Sequence, residues 1–186
     1  TGRVFVDFDS QGNPSYDIVE NVAWDWLRYE ADLQDLAPQS AAVAFGTLAQ
    51  RNAETRNSIY RFLDDARAAI RLFDVNLRQS YYDQSILARS CELATVVKCN
   101  AREFETIAGL LGLTGDDNDA TNAAHGAWAR RLTKRYSVKL VVVTHGEQRG
   151  VAYDEQGEHR VEPVSYPPAS DADSVGAGDA YSAGLI

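Results

Sequence analysis

The stretch "DSVGAGDAYSAG" (173–184) sets a carboxylate, Asp179, directly behind two glycines at the start of a helix. Glycine-rich turns that open helices hold anions, because free backbone N–H groups and the positive end of the helix dipole face the ligand. An acid placed there repels a phosphate unless it faces a different group. No Lys-Ser/Thr follows the glycines, so the turn is not a P-loop, and Tyr181 stands where a dinucleotide fingerprint needs its third small residue. A tight turn with Asp179 complementing the dipole accounts for the acid and one glycine. It accounts less well for Gly176 and Gly178 flanking Ala177. A chemical division of labour accounts for all of them. The N–H groups of Ala177, Gly178 and Asp179 form an anion hole for a transferring phosphoryl group, and Asp179 takes the proton of the attacking hydroxyl. Phosphoryl transfer asks little of its base, because its transition state is loose and positioning dominates.

Three other polar segments could join such a site. "NARE" (100–103) places Asn100 three residues before Glu103, a capping box in which Gln would serve as well as Glu. "DVNLR" (74–78) reads as a strand end followed by one surface cation, Arg78. "THGEQRG" (144–150) is a polar turn behind an apolar run. The three histidines are scattered, and solvated or capping roles are expected of them rather than a metal site.

The elements that must position these groups follow from apolar periodicity. "RVFVDFDSQGNPSYDI" reads as a β-hairpin, with Val4, Val6 and Phe8 alternating and Gly12-Asn13-Pro14 at the turn. Val22, Trp26, Tyr29, Leu33 and Leu36 fall on one helical stripe. A short buried strand is expected over 41–46. Ile59, Phe62, Leu63, Ala66 and Ile70 form a second stripe, leading into the strand "RLFDVNL" (71–77). A helix near 83–94 precedes the strand "TVVKC" (95–99), and another runs from Ala101 to Leu111. After the polar loop "TGDDNDATN" (114–122), a helix near 122–136 delivers the strand "KLVVVT" (139–144). "GVAYD" and "HRVEPV", joined by Gln156-Gly157, form a last hairpin.

Apolar strands separated by amphipathic helices imply a mainly parallel sheet covered on both faces, with right-handed crossovers. Ligands of such sheets bind beyond the carboxyl ends of the strands. Gly46, then Asn76 and Arg78, then Asn100, then Thr144 and Gly146 stand at those ends in turn. The chemically interesting residues collect on one edge.

At 186 residues, 45% hydrophobic and 24% charged, the chain can bury a substantial core. A formal charge of −9 argues against nucleic acid or an anionic membrane as the main partner. Cys91 and Cys99 have neither metal-site nor disulfide-framework spacing, so a reduced, cytoplasmic setting is expected. The chain has no Met and stops in the second turn of a helix; both ends read as cut.

"DSVGAGDAY" resembles the D-T-x-G-A-G-D signature of the ribokinase-like (PfkB) carbohydrate kinases. "FGTLAQR", "FDVNLR", "VVKCNAREFETIAGLLG" and "VVVTHGEQRGVAY" follow the order found in that family, particularly among its fructokinase-like members. The resemblance implies a three-layer α/β fold with a mainly parallel sheet flanked by helices and a small β lid, with residues 1–20 in the lid and 21–186 in the kinase core. It implies Asp179 as catalytic base and Gly176, Ala177 and Gly178 as anion hole. Asn100 and Glu103 would help place Mg²⁺ and the nucleotide phosphates, Glu103 acting on the metal through water. Thr144 and Gly146 would hold the nucleotide, and Arg78, Asn76 and Gly46 would lie on the substrate or phosphate side. The implied reaction is transfer of phosphate from ATP to a sugar hydroxyl, of fructose or a related hexose or keto-sugar, in a homodimer joined through the lid. Ser174 replaces the family's Thr, and the family's N-terminal glycine pair and C-terminal adenine-pocket segment have no counterpart here. A nucleoside kinase of the same fold and a non-catalytic sugar- or nucleotide-binding regulator are the alternatives. A NAD-binding domain is disfavoured by the failed fingerprint.

Overall fold

Strands form where β-branched and aromatic residues run together, and their period of two sorts side chains between two faces. The computed structural model describes residues 2–8, 14–115, 122–146, 148, 150–161 and 176–186. Strands β1 (Val4–Phe8) and β2 (Pro14–Ile18) pair as an antiparallel two-stranded sheet. The main sheet has the order β3 (Ala42–Phe45), β4 (Ile70–Asp74), β5 (Val96–Asn100), β6 (Leu140–Thr144), β7 (Gly150–Tyr153) and β8 (Glu158–Val161). Its first four strands are parallel, and β7 and β8 return antiparallel. The Gln156-Gly157 turn of that last hairpin is held by Asp154, whose side chain accepts from both backbone N–H groups. The turn residues Gly12 and Asn13, the loop 116–121 and residues 162–175, which include Ser174, lie outside the described residues.

Helices cross between the parallel strands, three of them started by a local polar side chain. Helix α2 (Ala53–Asp65) is capped by Asn52, which accepts from the Glu54 N–H, and α3 (Gln84–Leu93) by Asp83, which accepts from Ile86. Helices α4 (Ala101–Leu110) and α5 (Asn122–Tyr136) both lie between β5 and β6. Phe73, Val97, Cys99, Val141 and Val143 point into one core with Leu63, Leu87, Phe104, Ile107, Trp128 and Leu132 from these helices. The alternate positions Leu72, Asp74, Lys98 and Val142 belong to the opposite face. There α6 (Ala177–Ala183) docks, with Ser182 Oγ 2.6 Å from Asp74 Oδ2 and the Lys98 ammonium 3.1 Å from the Gly178 carbonyl. The result is an α/β fold of three layers.

The expected helical stripe from Val22 to Leu36 is not one helix. A single 3-10 turn (Ala23–Asp25) is followed by irregular backbone, then by the short α1 (Ala31–Leu36) and a second 3-10 turn (Ala37–Gln39). Tertiary hydrogen bonds outcompete the helical ladder here. The Leu27 N–H donates to Thr55 Oγ1 at 2.9 Å, and the Leu27 carbonyl accepts from Ser58 Oγ at 2.7 Å. Asp25 folds back onto the Val22 N–H and is gripped at both oxygens by Arg51, each at 2.7 Å. Trp26 and Leu36, expected on the buried stripe, are instead exposed. The second stripe ends earlier than expected, since Ile70 opens β4. That strand stops at Asp74 because Asn76 takes a left-handed turn, φ 44°.

Arg51 also donates to the Val19 carbonyl at 2.7 Å and lies over the Tyr81 ring, so it ties the end of the hairpin to the core. Both partners of the Arg51–Asp25 pair are almost wholly buried. Arg51→Met in the complete protein is therefore expected to cost about 3–5 kcal/mol in urea unfolding near neutral pH, because Asp25 is left buried without a counter-charge. The Arg51 hydrogen bond holds the Asp25 carboxyl below its ordinary pKa. A depressed pKa contributes stability above the ordinary value and loses it as pH falls through the folded one. The gap between variant and wild type should accordingly narrow in acid; a gap that stays constant with pH would refute this account.

Candidate active site

The carboxyl edge of the sheet is assembled by side chains that bond across from one loop to the next. Gly46 follows β3, and a Cβ there would lie 2.9 Å from the Asp74 carbonyl oxygen, so the close approach of β4 admits only glycine. The next residue, Thr47, is fully buried and reaches the carbonyls of Val75 and Asn76 at 3.0 and 3.1 Å. The loop after β3 is thereby fixed to the loop after β4.

Asn100 and Glu103 form the expected capping box at the start of α4. Asn100 Oδ1 accepts from the Glu103 N–H at 2.9 Å, and Glu103 Oε2 accepts from the Asn100 N–H at 2.8 Å. Glu103 does more than cap. Its Oε1 accepts from the Leu77 N–H at 3.0 Å, between Asn76 and Arg78. Gln is consequently not an equal substitute, because it has one acceptor oxygen for two N–H donors.

At the carboxyl ends of β5 and β6, Asn100 pairs in register with Thr144, and Gly146 turns at φ 62° just beyond. A cavity of about 330 Å³ opens there, lined by Lys98, Thr144, Gly146, Ala177, Gly178 and Tyr181 among others. Gly176 caps α6 at φ 80°, a conformation that favours glycine, and the first helical bond runs from the Ala180 N–H to the Gly176 carbonyl at 2.9 Å. The N–H groups of Ala177, Gly178 and Asp179 therefore lie ahead of the ladder. The Asp179 side chain is exposed to solvent. A second cavity, about 250 Å³ along β3 and α2, is lined by Leu27, Val43, Phe45, Phe62 and Leu63 and offers no ionisable group.

His125 departs from expectation. His125 is 3% exposed, packed edge-on to Phe104 and beside Trp128 and His145, with neither ring nitrogen hydrogen-bonded. Burial, and after it the neighbouring His145, push its pKa down. It is an aromatic core residue, not a capping or solvated one. His159 meets Asp154 at 3.0 Å on the surface. Among the described residues no group of three or more His, Cys, Asp or Glu side chains is arranged to hold a metal, and both cysteines are free and buried.

The profile of the pfkB family carbohydrate kinases matches residues 9–186. The chain belongs to that family. It is 28% identical over 198 residues to a fructokinase of Salmonella typhimurium, an alignment covering 100% of this chain and 58% of the relative. A 5-dehydro-2-deoxygluconokinase of Geobacillus kaustophilus is 26% identical over 160 residues, covering 82% of this chain and 44% of the relative. The chain thus spans about half the length of these two relatives. Among solved structures, the fructokinase of Xylella fastidiosa with bound ATP superposes with a TM-score of 0.79 at 24% identity, covering all of this chain and 55% of that one. The aminoimidazole riboside kinase of Salmonella enterica does so at 0.67 and 22%, covering 92% and 54%. At such identities the structural likeness speaks for the fold.

Within this pfkB domain the structure gathers Thr144, Gly146, Ala177 and Gly178 around one cavity, and links Asn100 and Glu103 to the loop carrying Asn76 and Arg78. Arg78 is half-buried, its Nη1 donating to the Leu77 carbonyl at 3.0 Å. Sequence reasoning missed Lys98, Asp74 and Ser182. The signal was present: a lysine inside "TVVKC" and an aspartate ending "RLFD" are charges on buried strands, which persist only when paired.

Two predictions follow from this geometry. Glu103→Gln should cost roughly 1–3 kcal/mol and speed hydrogen exchange at the Leu77 amide. Unchanged stability with a protected Leu77 would overturn the bridging role. His125 should make the protein less stable as pH falls below about 6.5, because its folded pKa is depressed and protonation favours the unfolded chain. His125→Phe should flatten that part of the pH profile in thermal denaturation, and an identical slope in both proteins would contradict it.

Proposed function

We propose that the protein transfers the γ-phosphate of ATP, with Mg²⁺, to a hydroxyl of fructose or a related hexose or keto-sugar. The observation that carries this reading is the exposed Asp179 in the first turn of α6, directly after Gly178, where the preceding Ala177 and Gly178 line a cavity shared with Thr144 and Gly146. Membership of the carbohydrate kinase family, with relatives named fructokinase, supports it.

Each residue has a physical task in this scheme. The Asp179 carboxylate accepts the proton of the attacking hydroxyl. The N–H groups of Ala177, Gly178 and Asp179 donate to the phosphoryl oxygens, with Gly176 setting their direction through its left-handed turn. Thr144 and Gly146 seat the nucleotide across from Asn100. Glu103 fits a water-mediated approach to Mg²⁺, because each of its oxygens accepts one backbone N–H and keeps a lone pair. Bound there, the metal would neutralise charge on the phosphates. Arg78 and Asn76 act on the phosphate and acceptor side, and Gly46 keeps the strand edge open beside them. The hairpin β1–β2 serves as the lid, closing over the acceptor to exclude water. Its exposed Val4, Phe5 and Val6 offer an apolar surface to a second copy of the chain.

Asp179→Asn in the complete protein should keep nucleotide affinity and lose about 10²–10⁴ in kcat, the share of a positioned base. A variant with near wild-type turnover removes Asp179 from the mechanism. An acceptor screen on the wild type distinguishes the rest. Phosphorylated fructose is the expected product; turnover with nucleosides alone replaces the acceptor, and binding without turnover makes the protein a regulator.

A further inference from the structure

We propose that Lys98 is a positioning residue for Asp179, acting through an ion pair with Asp74 that clamps the first turn of α6 onto the sheet. The inference rests on the reading of Asp179 as the base. Lys98 stands in the middle of β5, 7% exposed, where its neighbours in the strand are valine and cysteine. A buried ion pair is weak support for stability, since apolar residues of similar volume do as well or better. The pair therefore calls for another explanation, and its third contact supplies one.

The Lys98 ammonium has three protons and three acceptors: Asp74 Oδ1, Asp74 Oδ2 and the Gly178 carbonyl, each at 3.1 Å. Asp74 faces Lys98 in register across the parallel ladder. From the helix side, Ser182 Oγ lies 2.6 Å from Asp74 Oδ2 and 3.0 Å from the same Gly178 carbonyl. Cation, carboxylate, hydroxyl and carbonyl thus close a ring between two strands and one turn of α6. Ser182 is itself buried in a helix whose other residues from Ala177 to Ala183 are exposed.

Helix α6 has seven residues, and a helix that short is not held by its own hydrogen bonds. Its position depends on what grips it. The grip falls on the carbonyl of the peptide whose nitrogen belongs to Asp179, so the base is fixed one residue from the clamp. A cation on that oxygen also polarises the Asp179 N–H as a donor. Gly178 leaves room for the clamp, since a Cβ there would approach Lys98 Nζ to 3.3 Å.

The test uses the complete protein. Lys98→Met combined with Asp74→Asn removes both charges without leaving one buried alone. We expect kcat to fall roughly 10–100-fold, in line with a displacement of about 1 Å at a reacting group, with KM for ATP and sugar within about threefold. Amide exchange across Ala177–Ala183 should rise in the same variant. Ser182→Ala, which leaves the ion pair in place, should show both effects more weakly. A folded double variant with wild-type kcat, or with α6 exchange unchanged, overturns the proposal. Should the double variant fail to fold, Ser182→Ala with unaltered kcat and exchange does so too. A wild type without sugar-dependent turnover overturns the functional reading and this inference together. Turnover that needs Asp179 yet tolerates the double variant overturns the clamp alone.

Discussion

The ion pair between Lys98 and Asp74 is the contact on which the geometry of the carboxyl edge depends. Neither charge tolerates burial alone, and the parallel register of β4 and β5 leaves each opposite the other. With the pair formed, the third proton of the ammonium looks outward from the sheet and selects a carbonyl, that of Gly178. The position of α6 follows from that selection. A larger residue at 178 would crowd that contact, since a Cβ there lies 3.3 Å from Lys98 Nζ.

The same logic runs along the whole edge. Thr47 bonds the loop after β3 to the carbonyls after β4. Glu103 bonds that loop to the start of α4, and Lys98 bonds β5 to α6. Each tie joins a side chain to backbone of the next segment, so the loops share one rigid frame without sharing a sheet. Preorganisation of this kind is what phosphoryl transfer requires, because positioning supplies most of its catalysis.

Local pattern made much of this visible beforehand. The alternation of β1, the four apolar strands and the Asn100–Glu103 box depend on near neighbours in sequence, and all are present in the structure, β4 alone ending three residues before the pattern does. What escaped depends on distant partners. The helical stripe from Val22 to Leu36 is genuine as a pattern, but Thr55, Ser58 and Arg51 take over the backbone and side-chain bonds that a helix there would need. His125 looked like a polar surface residue until Phe104, Trp128 and His145 enclosed it. The second bond of Glu103 and the partnership of Lys98 with Asp74 need strand order and register, which no single segment carries. The glycine-rich turn was legible as a turn; its dependence on a lysine 80 residues away was not.

The proposed function requires sugar and nucleotide to meet at Asp179 and the glycine turn of this pfkB domain. A crystal structure of the complete protein with Mg²⁺, a non-hydrolysable ATP analogue and fructose tests it most directly. The account predicts the γ-phosphate on the N–H groups of Ala177, Gly178 and Asp179, with one sugar hydroxyl about 2.6–3.2 Å from the Asp179 carboxylate. Ligands seated in the apolar groove along β3 and α2, or a sugar with no hydroxyl within reach of Asp179, would contradict it.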